Sequence, residues 1–213
     1  MSAFDLPRLK LPLTPAAARA LTLGDLFLLD GEAVATVGMP TQKRMVSEVA
    51  AGREMPTPMR GGAFFHMGVS YDEADGRPGR LHYVNPTTSS RFNGLMPSLI
   101  RELGLTSVGG KGGLSRESAD AMREVGCVYF SFVGGASALL SDGVEEVVDC
   151  AWNDLIMQFR LNRIRLGGFG PVTVAIDAHG NSIYERLMTS AQARLPEILQ
   201  ALRAPLSPVD ENY

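Results

Sequence analysis

Cysteine, histidine and tryptophan are scarce in this 213-residue sequence, with two, three and one copies respectively. Cys127 and Cys150 are far apart and in no C-x-x-C arrangement. Two thiols cannot by themselves complete a structural zinc site or hold an iron–sulfur cluster. Cys127 opens an apolar run and reads as core, because free cysteine is among the most buried residue types. Excess charge is also missing: the formal net charge is −3, so there is no basic footprint for nucleic acid. No apolar run reaches membrane-spanning length, and the N-terminus lacks a cationic segment followed by an apolar core. The expectation is a soluble, cytoplasmic protein. Without internal repeats, a chain of this length suits one domain with a substantial core.

What is present gathers around Asn85–Leu114. This stretch opens with Pro86, Thr87, Thr88, Ser89, Ser90 and Arg91, and an apolar helical pattern follows (Phe92, Leu95, Met96, Leu99, Ile100, Leu103) that Gly104 closes. The pattern predicts a helix whose hydroxyl-rich N-terminus offers unpaired N–H groups to an anion. Arg91 falls in or near that first turn, where a cation opposes the helix dipole and is better used to grip a carboxylate. A short apolar segment, Leu105–Val108, leads to Gly109-Gly110-Lys111-Gly112-Gly113. Four glycines around one lysine let backbone approach a ligand and project the ammonium from a turn. It is no phosphate-binding P-loop, since after Gly104 and Gly109 the lysine is due at 110, where Gly110 stands. An ordinary N-cap and an ordinary turn are the alternatives for the two halves. If both serve function, Arg91 and Lys111 face one cleft with Asn85–Ser90 lining its floor.

The rest of the chain alternates strands and helices. Residues 1–20 are punctuated by proline and read as an arm, with a short helix after Thr14-Pro15. Residues 21–203 form the domain, and 204–213 read as a fraying tail. Strands are expected at Leu26–Leu29 and Glu32–Val37, with Asp30-Gly31 as a hairpin turn between them. Thr41–Ala50 is a helix with Met45, Val46 and Val49 on one face, and Ala63–Phe65 a strand that His66 ends. Asp72–Arg80 is a polar turn. Ser115 caps a helix to about Val125, and Cys127–Val133 is a strand buried on both faces. Gly134-Gly135-Ala136-Ser137 turns into a short helix, and either offers N–H groups to an anion or permits tight packing. Further strands are Val144–Cys150, Arg160–Arg165 and Val172–Ile176, followed by an Asx-type turn at Asp177–Asn181 and a helix at Ser190–Leu202. Such alternation, with hairpin-linked strands, is an α/β domain of mixed sheets.

PTTSSRF from Pro86, GGKGG from Gly109, FVGGASALL from Phe132 and FGPVTVAIDAHGN from Phe169 together resemble the small subunit of L(+)-tartrate dehydratase. They equally resemble the C-terminal domain of class I iron–sulfur fumarases. The resemblance spans about Leu21 to Leu187 and implies the swivelling β/β/α fold. It implies a hydro-lyase half: the large (alpha) subunit or companion domain carries the cysteines of a [4Fe–4S] cluster, and this chain binds none. An open iron of that cluster acts as Lewis acid on the departing hydroxyl. By the same resemblance Thr87 acts near the abstracted proton, Thr88 and Arg91 hold the loop and a carboxylate, and Lys111 supplies a cation. Ser89, Gly110 and Gly112, from the same motifs, complete the implied substrate-binding set. The implied substrate is a small 2-hydroxy acid with one or two carboxylates. The implied assembly is a hetero-oligomer, or a homodimer when alone, with no activity in isolation.

One motif departs. Where the family has R-D-x-x-H-K/R, whose arginine helps bind a substrate carboxylate, this chain reads Val37-Gly38-Met39-Pro40-Thr41-Gln42-Lys43-Arg44. Val37 replaces the arginine, Gly38 the aspartate and Thr41 the histidine; a one-residue shift puts Gln42 at the histidine. Lys43 and Arg44 match only the basic end, or form a solvated helix face. The departure leaves a second possibility open, a repurposed carboxylate-binding relative without the chemistry. A milder departure is Val69, where the family tends to have proline.

Overall fold

A computed structural model describes residues 5–203; the tail expected at 204–213 lies outside the described residues. The pairings of the strands close a circuit. β2 (Leu26–Thr36) lies parallel to β3 (Ala63–Ala74), β3 to β5 (Ser107–Gly110), and β5 to β6 (Val128–Ser131). β8 (Leu161–Ile176) then runs antiparallel to both β6 and β2. Three more strands are added to this ring: β1 (Arg8–Leu11) on β2, β4 (Arg77–Pro86) on β3, and β7 (Val144–Ala151) on β8. The α/β class with a mixed sheet is what the chain adopts. The segment expected as an arm contributes β1 to the sheet and the helix α1 (Pro15–Arg19), where Thr14 Oγ1 accepts from the Ala17 N–H.

Alternating residues of the ring strands enter two separate cores. Phe65, Met67, Phe130, Ile164 and Phe169 belong to one. Phe64, Val108, Tyr129 and Val34 belong to the other, with Phe92, Met96, Leu99, Ile100 and Met122. Of these, Met96, Leu99 and Ile100 come from α3 (Met96–Leu103) and Met122 from α4 (Arg116–Val125), Phe92 precedes α3, and α2 (Met39–Ala50) packs on the same side. Burial on both faces is why these strands read as unbroken apolar runs. Met45 is buried on α2 with Val46 and Val49 beside it, as its periodicity predicts. α5 (Ser137–Asp142) follows the second glycine turn, and α6 (Ile183–Arg203) ends the described chain.

Four expectations are corrected. Asp30-Gly31 makes no hairpin; both residues sit inside β2. The Asp30 carboxylate there accepts from the Gly168 N–H and pairs with Arg8. Gly31, at φ +99°, lies against the Leu11 carbonyl, where a β-carbon has no room. Tertiary pairing thus consumes a local turn signal as a strand irregularity. Asp72–Arg80 is mostly strand as well, with the reversal confined to Asp75-Gly76 between β3 and β4. The two strands expected around Phe169-Gly170-Pro171 are one, β8. His66 lies within β3 rather than at its end.

Candidate functional site

A fifth correction concerns the hydroxyl run. Thr87–Arg91 does not open the apolar helix. Ser89–Phe92 forms a separate 3₁₀ turn, and α3 starts only at Met96, with Pro97 in its first turn. The run is instead threaded between strands. The Thr87 N–H donates to the His66 carbonyl (2.9 Å), the Lys111 N–H to the Thr87 carbonyl (3.1 Å), and the Ser89 N–H to the Lys111 carbonyl (2.8 Å). Thr88 and Lys111 thereby form a parallel bridge. The amides expected to face an anion at Thr87 and Ser89 are spent on this pairing, so side chains must meet it.

The bridge places the two motifs side by side. Arg91 and Lys111 both line one cavity of about 460 Å³, with Asn85, Pro86, Thr87 and Phe92 from the same stretch. The Arg91 Nη2 donates to Thr87 Oγ1 at 2.7 Å. Among the described residues neither cation forms an ion pair, whereas Arg8, Arg44, Arg101, Arg116 and Arg160 all do. Among the described residues no aspartate or glutamate lines the cavity. Two cations without counter-charges hold a positive potential there and favour an anionic occupant. Gly134, from the second glycine turn, packs against the Lys111 stem; a β-carbon on it would lie 2.9 Å from Lys111 Cδ. That turn therefore serves close packing behind the lysine.

Ser89 lies behind this wall. It is fully buried, and its hydroxyl bridges His66 Nδ1 and the Tyr129 hydroxyl, both at 2.8 Å. Gly110 is buried beside it, where a β-carbon would strike Ser89 Oγ and come within 3.1 Å of His66 Cβ. Gly112 is exposed at φ +76° against the Thr88 methyl, and Thr88 is half-buried. Thr88, Ser89, Gly110 and Gly112 are thus not part of the cavity lining, unlike Thr87, Arg91 and Lys111.

His66 is fully buried between Phe64 and Phe92, at ring-centroid separations of 5.3 and 4.7 Å. Burial pushes its pKa down to about 3, and the Arg91 cation acts in the same direction. The imidazole is neutral near pH 7 and supports the Ser89 network. The unfolded chain binds this proton below about pH 6.5 and the folded chain only near 3, so folding stability falls with acidification across that window. One proton sets a limit of about 1.4 kcal/mol per pH unit. Urea unfolding between pH 4.5 and 6.5 should show this slope, and His66→Asn should remove it; an unchanged slope in the variant would contradict the assignment.

The remaining lining comes from elsewhere: Val37, Met39 and Pro40 before and within α2, Gly68 on β3, Tyr83 on β4, and Gln158 and Phe159 ahead of β8. Gln158, Phe159 and Tyr83 carry no motif, and only the fold brings them here. Lys43 is exposed, and Arg44 pairs with Asp154 and lies 4.5 Å over the Trp152 ring. Neither lines the cavity.

Residues 5–187 match the family described as Fumarase C-terminus. The chain belongs to that family. It is 30% identical over 177 residues to the L(+)-tartrate dehydratase subunit beta of Escherichia coli K12, covering 82% of this chain and 86% of the relative. A Methanocaldococcus jannaschii protein provisionally given the same subunit name is 27% identical over 188 residues, covering 88% and 95%. A Geobacillus stearothermophilus protein provisionally named class I fumarate hydratase is 25% identical over 189 residues, 89% of this chain but 35% of that longer protein. The matched span includes the hydroxyl run, the Lys111 loop and the β8 motif. No described helix is long and apolar enough to cross a membrane.

Proposed function

We propose that this chain is the cluster-free small subunit of a [4Fe–4S] hydro-lyase that adds or removes water at a 2-hydroxy acid and is inactive alone. The observation carrying the reading is the pair Arg91 and Lys111, brought by two family motifs to one cavity with no acidic side chain among its described lining residues. Names of relatives that include "subunit beta" support a partner chain. This chain's own residues do not suit a cluster: Cys127 is buried, and no three described His, Cys, Asp or Glu side chains are grouped to hold a metal. A cluster in the partner would supply a Lewis acid for the departing hydroxyl.

What this chain contributes is anion binding and orientation. Arg91 and Lys111 hold a carboxylate and stabilise the negative charge that grows beside it as the neighbouring C–H proton leaves. Thr87 Oγ1 accepts from Arg91, which leaves its O–H free for the cavity, and the adjacent cation favours its deprotonated form. A free threonine hydroxyl is a weak base, so a carboxylate from the partner must take the proton onward. Thr88, Ser89, Gly110 and Gly112 hold the two motifs in register. A cytoplasmic hetero-oligomer is the assembly this implies.

A second reading, a carboxylate-binding relative without hydro-lyase chemistry, draws on Val37, which brings an uncharged side chain to the cavity. Affinity purification of the tagged full chain from its own cells separates the two. An iron-containing partner should come down in stoichiometric amount. Recovery of the chain without such a partner would favour the second reading, and a stoichiometric cluster in the isolated chain would overturn the division of labour.

A further inference from the structure

The terminal helix α6 leaves the body almost at once. Its root is fixed, since the Tyr184 hydroxyl donates to Ser131 Oγ (3.0 Å) and Glu185 pairs with Arg116 (3.1 Å). From Glu185 to Leu202 every residue is exposed, so no face of the helix is covered. Yet one face is apolar. Met188, Ala191, Leu195, Leu199 and Leu202 follow one another at steps of three, four, four and three residues. At 3.6 residues per turn all five lie within about 40° of Leu195, and Ile198 and Leu187 widen the stripe on one side. Glu185, Arg186, Arg194 and Glu197 lie about 80° or more from Leu195 and leave the stripe uncharged.

Such a helix has little stability of its own, because Pro196 breaks its hydrogen-bond ladder and no packed face supports it. Leu187, Met188, Leu195, Ile198, Leu199 and Leu202 are 42–76% exposed. Pairing two such stripes would bury about 1,000 Å² in all, the size that a specific interface needs. The spacing reads the same from either end, with Leu195 at its centre. Two antiparallel copies crossing there set Leu195 on Leu195, Met188 on the partner's Leu202 and Ala191 on the partner's Leu199, small against large. A parallel pair would set Ala191 on Ala191 and Leu199 on Leu199, a gap beside a crowded layer, with both bodies at one end. Antiparallel pairing keeps the bodies about 35 Å apart along the helix axis. Lipid fits less well: Glu185 and Glu197 cancel Arg186 and Arg194, whereas a helix lying on a membrane is rich in Lys and Arg on its polar face. The residues that match the family end at Leu187, so a partner common to the family does not account for the stripe. We propose that α6 pairs antiparallel with α6 of a second copy of this chain, about a two-fold axis at Leu195. The pairing goes beyond the proposed function and does not depend on it.

Sedimentation velocity of the full chain over a concentration series tests this. The parent should be a dimer, and Leu195→Glu, which sets two carboxylates together at the axis, should raise the dissociation constant by about 100-fold or more. The melting curve of the body should stay as it is, because Leu195 is exposed within the single chain; Leu202→Glu serves as the second variant. Direction is read by cross-linking after Cys150→Ser removes the half-buried native thiol, Cys127 being buried. Leu195→Cys should oxidise to a covalent dimer by itself, whereas Met188→Cys and Leu202→Cys should do so only when combined. A dimer that survives Leu195→Glu, or efficient cross-linking through Met188→Cys alone, would overturn the inference. So would a parent that stays monomeric at hundreds of micromolar; loss of the co-purified partner on Leu195→Glu would then give the stripe to that other chain.

Discussion

Arg91→Ala is expected to weaken binding of a carboxylate to the full chain by about 10–100-fold, the range for a charge-assisted contact in a partly shielded site. The loss has two sources. The guanidinium is one of the two uncompensated cations of the cavity, and its Nη2 holds Thr87 Oγ1 at 2.7 Å. Lys111→Ala should show a loss of the same order, but without disturbing Thr87. Arg91→Lys keeps the charge and gives up the planar fork, so it should recover only part of the affinity. Thermal stability should change little in all three variants, because Arg91 is exposed and pairs with no acid among the described residues. Calorimetry together with a melting curve checks this. Equal affinity in Arg91→Ala and the parent would remove Arg91 from the site. A large drop in melting temperature would make its role structural.

Gly110→Ala should have the largest effect on the chain itself. The added methyl would strike Ser89 Oγ, with His66 Cβ at 3.1 Å and the Thr87 carbonyl at 3.3 Å leaving it no alternative. Those groups are themselves fixed, Ser89 by His66 and Tyr129 and Thr87 by its backbone bonds. Overpacking of a buried polar network should cost about 2–4 kcal/mol, and separate Thr87 and Arg91 from Lys111. Gly112→Ala is the control. Gly112 is exposed, its nearest neighbour is the Thr88 methyl at 3.0 Å, and the main penalty is its φ of +76°, about 1 kcal/mol. Denaturant midpoints and carboxylate affinity of both variants check the contrast. Equal behaviour of the two would mean that the strands do not clamp the hydroxyl run as described.

The sequence made the motifs and the fold class legible, and it misled where distant contacts override local signals. Helices with strong periodicity and glycine ends, such as Arg116–Val125 with Gly126 in the left-handed conformation, lie where expected. Asp30-Gly31 carries every local mark of a turn, yet Arg8, Leu11 and Gly168, all remote in sequence, hold it inside a strand. The hydroxyl run before an apolar stretch looked like a helix start, because helix N-termini favour those residues. Its partner proved to be Lys111, and the parallel bridge between the motifs has no local signature. For the same reason Arg91 and Lys111 could be nominated together from their motifs, whereas Gln158 and Phe159 could not. Ser89, nominated with them, turns inward because His66 and Tyr129 offer its hydroxyl two buried partners.

The measurement that tests the central claim most directly is hydro-lyase turnover of the co-purified complex, followed by the absorbance of the unsaturated acid. The account predicts turnover by the complex, none by the isolated chain, and loss of turnover with retained assembly when Lys111→Ala replaces the parent chain. Turnover by the isolated chain, or full turnover by the Lys111→Ala complex, would contradict it.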